Sequence, residues 1–306
     1  MAVGARGRGT KGLGDRGYLR ALLEGLLVTF LWSTSYVLIK MGLRELPPLT
    51  FAAYRYIIAS MVLLAVTLLR DRGIPFSAKE DLPKLFLLGL SGYSVAQGLQ
   101  YVGLSHLPAV TVTFLLNFTP VTVLLFGIVF LREYPAPLQL AGMTLALLGA
   151  YLFFLAPLSG AELIGVTVTL LSGSGWAAYM VSSRQFLKRE RFKTLHLTAL
   201  TMFFGAITLL ISALLIEGPV GISLCEWAII LWLSLVNTAL AFVLWNHALE
   251  RMRAFELSIL QNTMLIQIGI LAWTFLGEGL KATKIVAMAM VFLGVLIVQI
   301  VKPKPR

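Results

Sequence analysis

The stretch LQYVGLSHLPAVTVTFLLNFTPVTVLLFGIVFLREYP, Leu99 to Pro135, returns later in the chain as LWNHALERMRAFELSILQNTMLIQIGILAWTFLGEGL, Leu244 to Leu280. The offset between the copies is 145 residues. At that offset Ala109 meets Ala254, Asn117 meets Asn262, Leu131 meets Leu276 and Glu133 meets Glu278. Further on, Gly149 meets Gly294. Nearer the start of each copy the offset is 144, which pairs Trp32 with Trp176 and Lys40 with Arg184. One unit is therefore used twice, and its apolar runs decide what kind of unit it is.

A helix needs about 20 apolar residues to cross about 30 Å of hydrocarbon. On that rule the chain holds ten spans: 20–40, 49–69, 82–103, 108–131, 137–157, 161–183, 194–216, 225–248, 254–276 and 282–301. Breakers fall between them, at Pro47-Pro48, Gly73 with Pro75, Pro108, Pro135 with Pro137, Pro157 and Gly218-Pro219. Each copy contains five spans. Five is odd, so the second copy enters the bilayer upside down relative to the first. The expected fold is an all-α integral membrane protein of ten transmembrane helices, arranged as two inverted five-helix repeats. Residues 1–19 are expected as a disordered basic cytoplasmic tail, 20–157 as the first repeat and 161–301 as the second. The first apolar run is too long for a signal-peptide core and lacks a small-residue cleavage site, so it reads as a retained helix.

Composition agrees. Of 306 residues 58% are hydrophobic and 13% charged, and the mean hydropathy is +0.87. A soluble domain is about half apolar and about a quarter charged. The net charge of +11 is a topology signal: twenty Lys and Arg lie in the two tails and the even-numbered gaps, and four lie in the odd-numbered gaps. Positive charge stays in the cytoplasm, which puts both termini there, in a multi-pass protein of the cytoplasmic membrane. No basic stripe lies on a soluble face, so nucleic acid is not an expected partner. The expected partners are the lipid bilayer and a small molecule. The pattern leaves the oligomeric state open and is compatible with a monomer.

The single cysteine, Cys225, matches no metal spacing. His106, His196 and His247 stand apart from one another and form no HExxH-like pair. No cofactor, no metal and no enzyme activity are expected, because no cluster of catalytic spacing exists.

The two quoted stretches each carry an aromatic or amide cluster, a small residue opening a helix, and a Glu closing an apolar run. They resemble the second half of an EamA repeat, and AAYRYIIASMVLL, Ala52 to Leu64, is similar to that family's second span. The resemblance covers about residues 20–301 and points to the ten-helix branch of the drug/metabolite transporter superfamily. It implies a central cavity lined by spans 1, 3, 4, 6, 8 and 9, with spans 5 and 10 peripheral. Two departures break the symmetry. Pro120 is matched by Leu265, and Arg55 by Leu200 or its neighbours.

Polar side chains at membrane depth are costly and face a bundle interior or a wet cavity. On the spans implied by the resemblance they share helix faces, at i, i+3, i+4 and i+7. Span 1 offers Trp32, Ser35 and Tyr36; span 3 offers Tyr93, Gln97, Gln100 and Tyr101. Span 4 offers Thr113, Asn117 and Pro120, span 6 Ser172, Trp176, Tyr179 and Ser183. Span 8 offers Asn237 and Trp245, and span 9 Gln261 and Asn262. Of these, all but Tyr93, Pro120, Ser172 and Ser183 are the fourteen candidate substrate-binding residues. Pro120 has no N–H, so the Leu116 carbonyl is expected to lose its partner near Asn117. Asn117 and Asn262 read equally as site residues or as hydrogen-bonding glue between helices. Arg55 reads first as snorkelling toward the outer interface, with pairing to an anionic group as the alternative. Glu133 and Glu278 read as helix-connection residues. The absence of an acidic residue deep in a span argues against a proton-coupled cation exporter. The aromatic, amide and hydroxyl faces suit a small neutral or zwitterionic, amino-acid-like metabolite moved by alternating access, and the resemblance implies the export direction. A carrier of sugar phosphates or nucleotide sugars, and a scaffold or sensor without flux, are the alternatives.

Overall fold

The structure, a computed structural model, describes residues 9–71, 81–119, 121–122, 136–154, 159–188, 192–252, 254–279 and 281–300. Pro120, Arg132 and Glu133 lie outside them, as do residues 1–8 of the tail. Helices follow the expected runs closely. They are α1 (Gly9–Gly42), α2 (Pro48–Asp71), α3 (82–106), α4 (Ala109–Leu116), α5 (Pro137–Phe153), α6 (Gly160–Lys188), α7 (Thr194–Ile216), α8 (Leu224–Arg251), α9 (Ala254–Leu276) and α10 (Ala282–Ile300). No strand occurs among the described residues. In lipid every backbone polar group must be satisfied within the chain, and a helix does that alone.

Five of these helices are long and apolar enough to cross a membrane as they stand, and α5, α9 and α10 contain shorter apolar stretches. α4 is described, position 120 apart, as far as residue 122. α1 extends back to Gly9, into the stretch expected to be disordered. Extending a nucleated helix fixes one residue per added hydrogen bond, so the span propagates outward more readily than a new helix starts.

Local chemistry sets the ends. Ser223 caps α8: its Oγ accepts from the Glu226 N–H, and the Glu226 carboxylate accepts from the Ser223 N–H, a reciprocal capping box. Gly218, with φ of +74°, follows α7, and its N–H reaches back to the Ala213 carbonyl. That left-handed conformation suits glycine. At the start of α4, the Glu278 carboxylate accepts from the N–H groups of Ala109 (2.9 Å) and Val110 (3.3 Å). The connection after α9 thus caps a helix of the other repeat, in keeping with its reading as a connection residue.

The packing carries the mark of two inverted copies. α2 packs against α7, and α5 against α10. α1 packs against α8 and α9, while α6 packs against α3 and α4. Exchanging each helix for the one five places away turns this list into itself. Contacts between helix ends obey the same alternation. The start of α1 meets the end of α8 through Glu24 and His247, 2.6 Å apart. The start of α5 meets the end of α10 through Gln139 Nε2 and the Val298 carbonyl, 3.1 Å apart. The start of α2 meets the end of α7 through the Glu217 carboxylate, which accepts from the N–H groups of Leu49 and Thr50.

α5 and α10 approach through small residues. A Cβ on Gly294 would stand 2.5 Å from the Gly142 carbonyl oxygen and 2.6 Å from the Ala146 nitrogen. Close approach of this kind, through van der Waals packing, drives helix association in membranes. Gly294→Leu is therefore expected to destabilise the fold by about 1–3 kcal/mol, the usual cost of overpacking. A fall in melting temperature of the purified protein checks this, and an unchanged melting curve refutes the close-packed pair.

A wider, π-helical turn interrupts α3 at Leu90–Gly98 and α8 at Leu235–Leu240. Leu90 and Leu235 are 145 residues apart, so both interruptions begin at the same position of the repeat. Such turns are uncommon and are often found at functional sites. Both border the centre of the bundle.

Candidate functional site

At that centre lies a cavity lined by Trp32, Ser35, Tyr36, Gln97, Gln100, Thr113, Asn117, Trp176, Gln261 and Asn262 among others. Trp32 and Trp176 are equivalent residues of the two copies, and their rings meet edge to face with centroids 5.6 Å apart. Two equivalent residues touch only beside the pseudo-twofold axis, so the cavity sits on that axis. The space within it open to water is about 70 Å³. Sites for drug-sized ligands run from about 300 to 1,000 Å³. This conformation therefore holds a few water molecules' worth of room and must widen to admit a metabolite.

Ten of the fourteen candidate residues line this space, and four lie behind it. Tyr101 is fully buried, edge to face with Phe51, and accepts a hydrogen bond from Arg55. Tyr179 pairs with Tyr93 at 2.9 Å and with Asn246, while its ring stacks on Trp176. Asn237 donates to the Leu31 carbonyl and to Thr34 Oγ1 of α1. Trp245 backs Trp32, with ring centroids 4.9 Å apart. The implied lining by span 8 is thus corrected: α8 supports the wall, and α2 supplies part of it. The reason is geometric. The π-helical turns add residues to the repeat, and each added residue rotates the remainder of its helix by about 100° relative to a uniform one. Face assignments made on one period through α3 and α8 therefore slip.

The largest correction concerns Arg55. Its expected place was the outer interface, but it is 3% exposed and lines the cavity beside Tyr56. Its Nε–H donates to Thr238 Oγ1 at 2.5 Å, Nη1 to Tyr101 Oη at 2.9 Å and Nη2 to the Asn237 carbonyl at 3.1 Å. Tyr56 in turn donates to Gln97 Oε1 at 2.8 Å. Thr119, Ser172 and Met264 also line the space. One signal was available in the sequence: Arg55 is the single Lys or Arg away from the ends of a span, and its repeat equivalent is not a base.

Around Asn117 the helix loosens. Its N–H is shared between the Thr113 and Phe114 carbonyls, and Phe118 bonds back only three residues. The Leu116 carbonyl, expected to be left free by Pro120, accepts from Thr119 Oγ1 at 2.6 Å. Pro120 itself lies outside the described residues. The Asn117 Nδ2 donates to the Thr113 carbonyl at 2.8 Å, within its own helix. Its Oδ1 is buried without a partner, and so is the indole N–H of Trp32. Buried polar atoms without partners are few in native proteins. Here a donor and an acceptor both line one cavity.

Comparison with known proteins places this geometry. The EamA-like transporter family matches residues 19–155 and again residues 163–300. The chain belongs to the EamA-like transporter family. It is 31% identical to an uncharacterized transporter of Archaeoglobus fulgidus, over 73% of this chain and 78% of that protein. It is 25% identical to a protein of Salmonella typhimurium named as a probable amino-acid metabolite efflux pump, over 89% of this chain and 92% of its relative. A crystal structure shares the fold with a TM-score of 0.67 at 19% identity, over 90% of this chain and 94% of its own. As a family member the chain is a multi-pass membrane protein of a transporter family, one named for transport and not for catalysis. Its relatives' names fit a small-molecule cargo.

Proposed function

We propose that this EamA-like transporter is a secondary carrier that moves a small, zwitterionic, amino-acid-like metabolite out across the cytoplasmic membrane by alternating access, with both termini in the cytoplasm. The observation that carries the reading is the on-axis cavity, walled by both inverted copies and holding unpaired polar atoms. Inverted repeats around a midplane site let one half take up the other's arrangement, which exchanges the side to which the site opens. The matched π-helical turns of α3 and α8 supply equivalent bending points for that exchange. The narrow free space fits a closed stage of the cycle. The export direction draws on the Salmonella relative's name, and the terminal placement on the charge asymmetry. A carrier of phosphorylated sugars would call for several bases; among the described lining residues Arg55 is the single cation.

Reconstituted protein tests this. Proteoliposomes loaded with unlabelled amino acids are expected to show saturable exchange with labelled amino acid outside, above that of protein-free vesicles. Folded protein that exchanges no member of a broad amino-acid panel overturns the reading.

A further inference from the structure

Arg55 is a buried cation with no counter-charge among the described residues. It lies about two turns into α2, roughly 10 Å along the helix from its start. Its three hydrogen-bond partners, Thr238, Tyr101 and the Asn237 carbonyl, are all neutral. The described carboxylates nearest the helix ends are occupied elsewhere: Glu24 by Arg20 and His247, Glu217 by the start of α2, and Glu278 by the start of α4. None of them pairs with Arg55. An uncompensated charge in a membrane interior is costly and marks function more often than packing.

The geometry suits a ligand anion. A guanidinium carries five N–H groups, and Arg55 uses three, leaving one on each Nη. Two such donors can engage both oxygens of a carboxylate. Tyr101, Thr238 and the Asn237 carbonyl hold the guanidinium in place, so little side-chain freedom is lost on binding. The same cavity offers what an ammonium wants: the unpaired Asn117 Oδ1 and the rings of Trp32 and Trp176. Aromatic faces attract cations, most strongly when desolvated.

We infer that Arg55 is the carboxylate-binding residue of the cavity, so that the carried solute must be ionised at a carboxyl group, with its amino group toward Asn117 and the tryptophan pair. This rests on the carrier reading above and adds the charge requirement to it. A solute with the carboxylate replaced by a neutral amide leaves the cation unpaired in the closed state and is rejected.

The rival role for Arg55 is a strut tying α2 to α3 and α8. Exchange in proteoliposomes of labelled L-amino acids against their matched C-terminal amides separates the two. The wild type is expected to move each transported acid at least tenfold faster than its amide. That acid-to-amide ratio is expected to fall toward one in Arg55→Gln and to be partly kept in Arg55→Lys. A strut alone would lower acid and amide together and leave the ratio intact. A wild type that carries amide as fast as acid overturns the inference and leaves the carrier reading standing; so does a folded Arg55→Gln that keeps the ratio. If Arg55→Gln does not fold, the wild-type comparison decides alone. No movement of acid or amide by folded wild type removes the carrier reading, and this inference with it.

Discussion

Asn117→Ala is expected to lower solute exchange at least tenfold while the melting temperature stays within a few degrees of wild type. The sequence left two roles open for this residue, site and interhelical glue. The glue role needs a hydrogen bond to another helix. The side chain's one bond runs instead to the Thr113 carbonyl of its own helix, and Oδ1 is buried unpaired in a residue that lines the cavity. Removing an intrahelical side-chain bond costs about 0.5–1.5 kcal/mol at most. The freed Thr113 carbonyl still accepts from the Asn117 backbone N–H, which brings the cost toward the lower end. Losing one acceptor from a ligand's ammonium costs at least as much in binding, and about 1.4 kcal/mol is a factor of ten. Proteoliposome exchange and thermal unfolding, measured on the same preparation, check both halves. Exchange at the wild-type rate with a clearly lowered melting temperature would return Asn117 to a packing role.

Gly205→Leu is expected to abolish recovery of folded protein. α7 crosses α3 where Gly205 meets Gly89, just before the π-helical turn. A Cβ on Gly205 would stand 2.5 Å from the Gly89 carbonyl oxygen and 2.5 Å from Tyr93 Cβ. Neither atom can swing away, since one is backbone and the other is the first atom of a fully buried side chain. The helices would have to separate. That would pull Ser94 from the Gly205 carbonyl, which its hydroxyl now meets at 2.8 Å. The loss is expected to reach or exceed the upper end of overpacking penalties, about 3 kcal/mol. Gly221→Ala is the control, because a Cβ there meets nothing within 4 Å. Monodisperse elution in detergent reads the outcome; Gly205→Leu eluting and melting like wild type would disprove the close crossing.

How far the site could be read beforehand differs from residue to residue. Trp32, Trp176, Asn117 and Asn262 were legible because they are polar or amphipathic, lie deep in apolar runs and recur at the repeat offset. Their recurrence made them equivalent residues of the two copies; the ring contact of Trp32 with Trp176 is what places that pair beside the axis. Tyr101, Asn237 and Trp245 are likewise polar or amphipathic and deep in apolar runs, but do not recur at the offset, and they lie behind the wall. Their direction depends on the π-helical turns, which no 3.6-residue period anticipates. Arg55 was misread because a long basic side chain two turns from an interface can usually reach water. Here three acceptors from α3 and α8 hold it inward instead.

Span count, inversion and family follow from local quantities: length of apolar runs, breakers, and one pattern repeated at a constant offset. Lipid enforces them, because any stretch crossing it must close its own hydrogen bonds. Which side chains meet in the cavity is another matter. That depends on helix rotation, on glycine-set distances between spans, and on added residues within two of them, all properties of neighbours far apart in the chain. Only the assembled bundle fixes those, and it alone turned an arginine expected at the outer interface into a buried cation of the cavity.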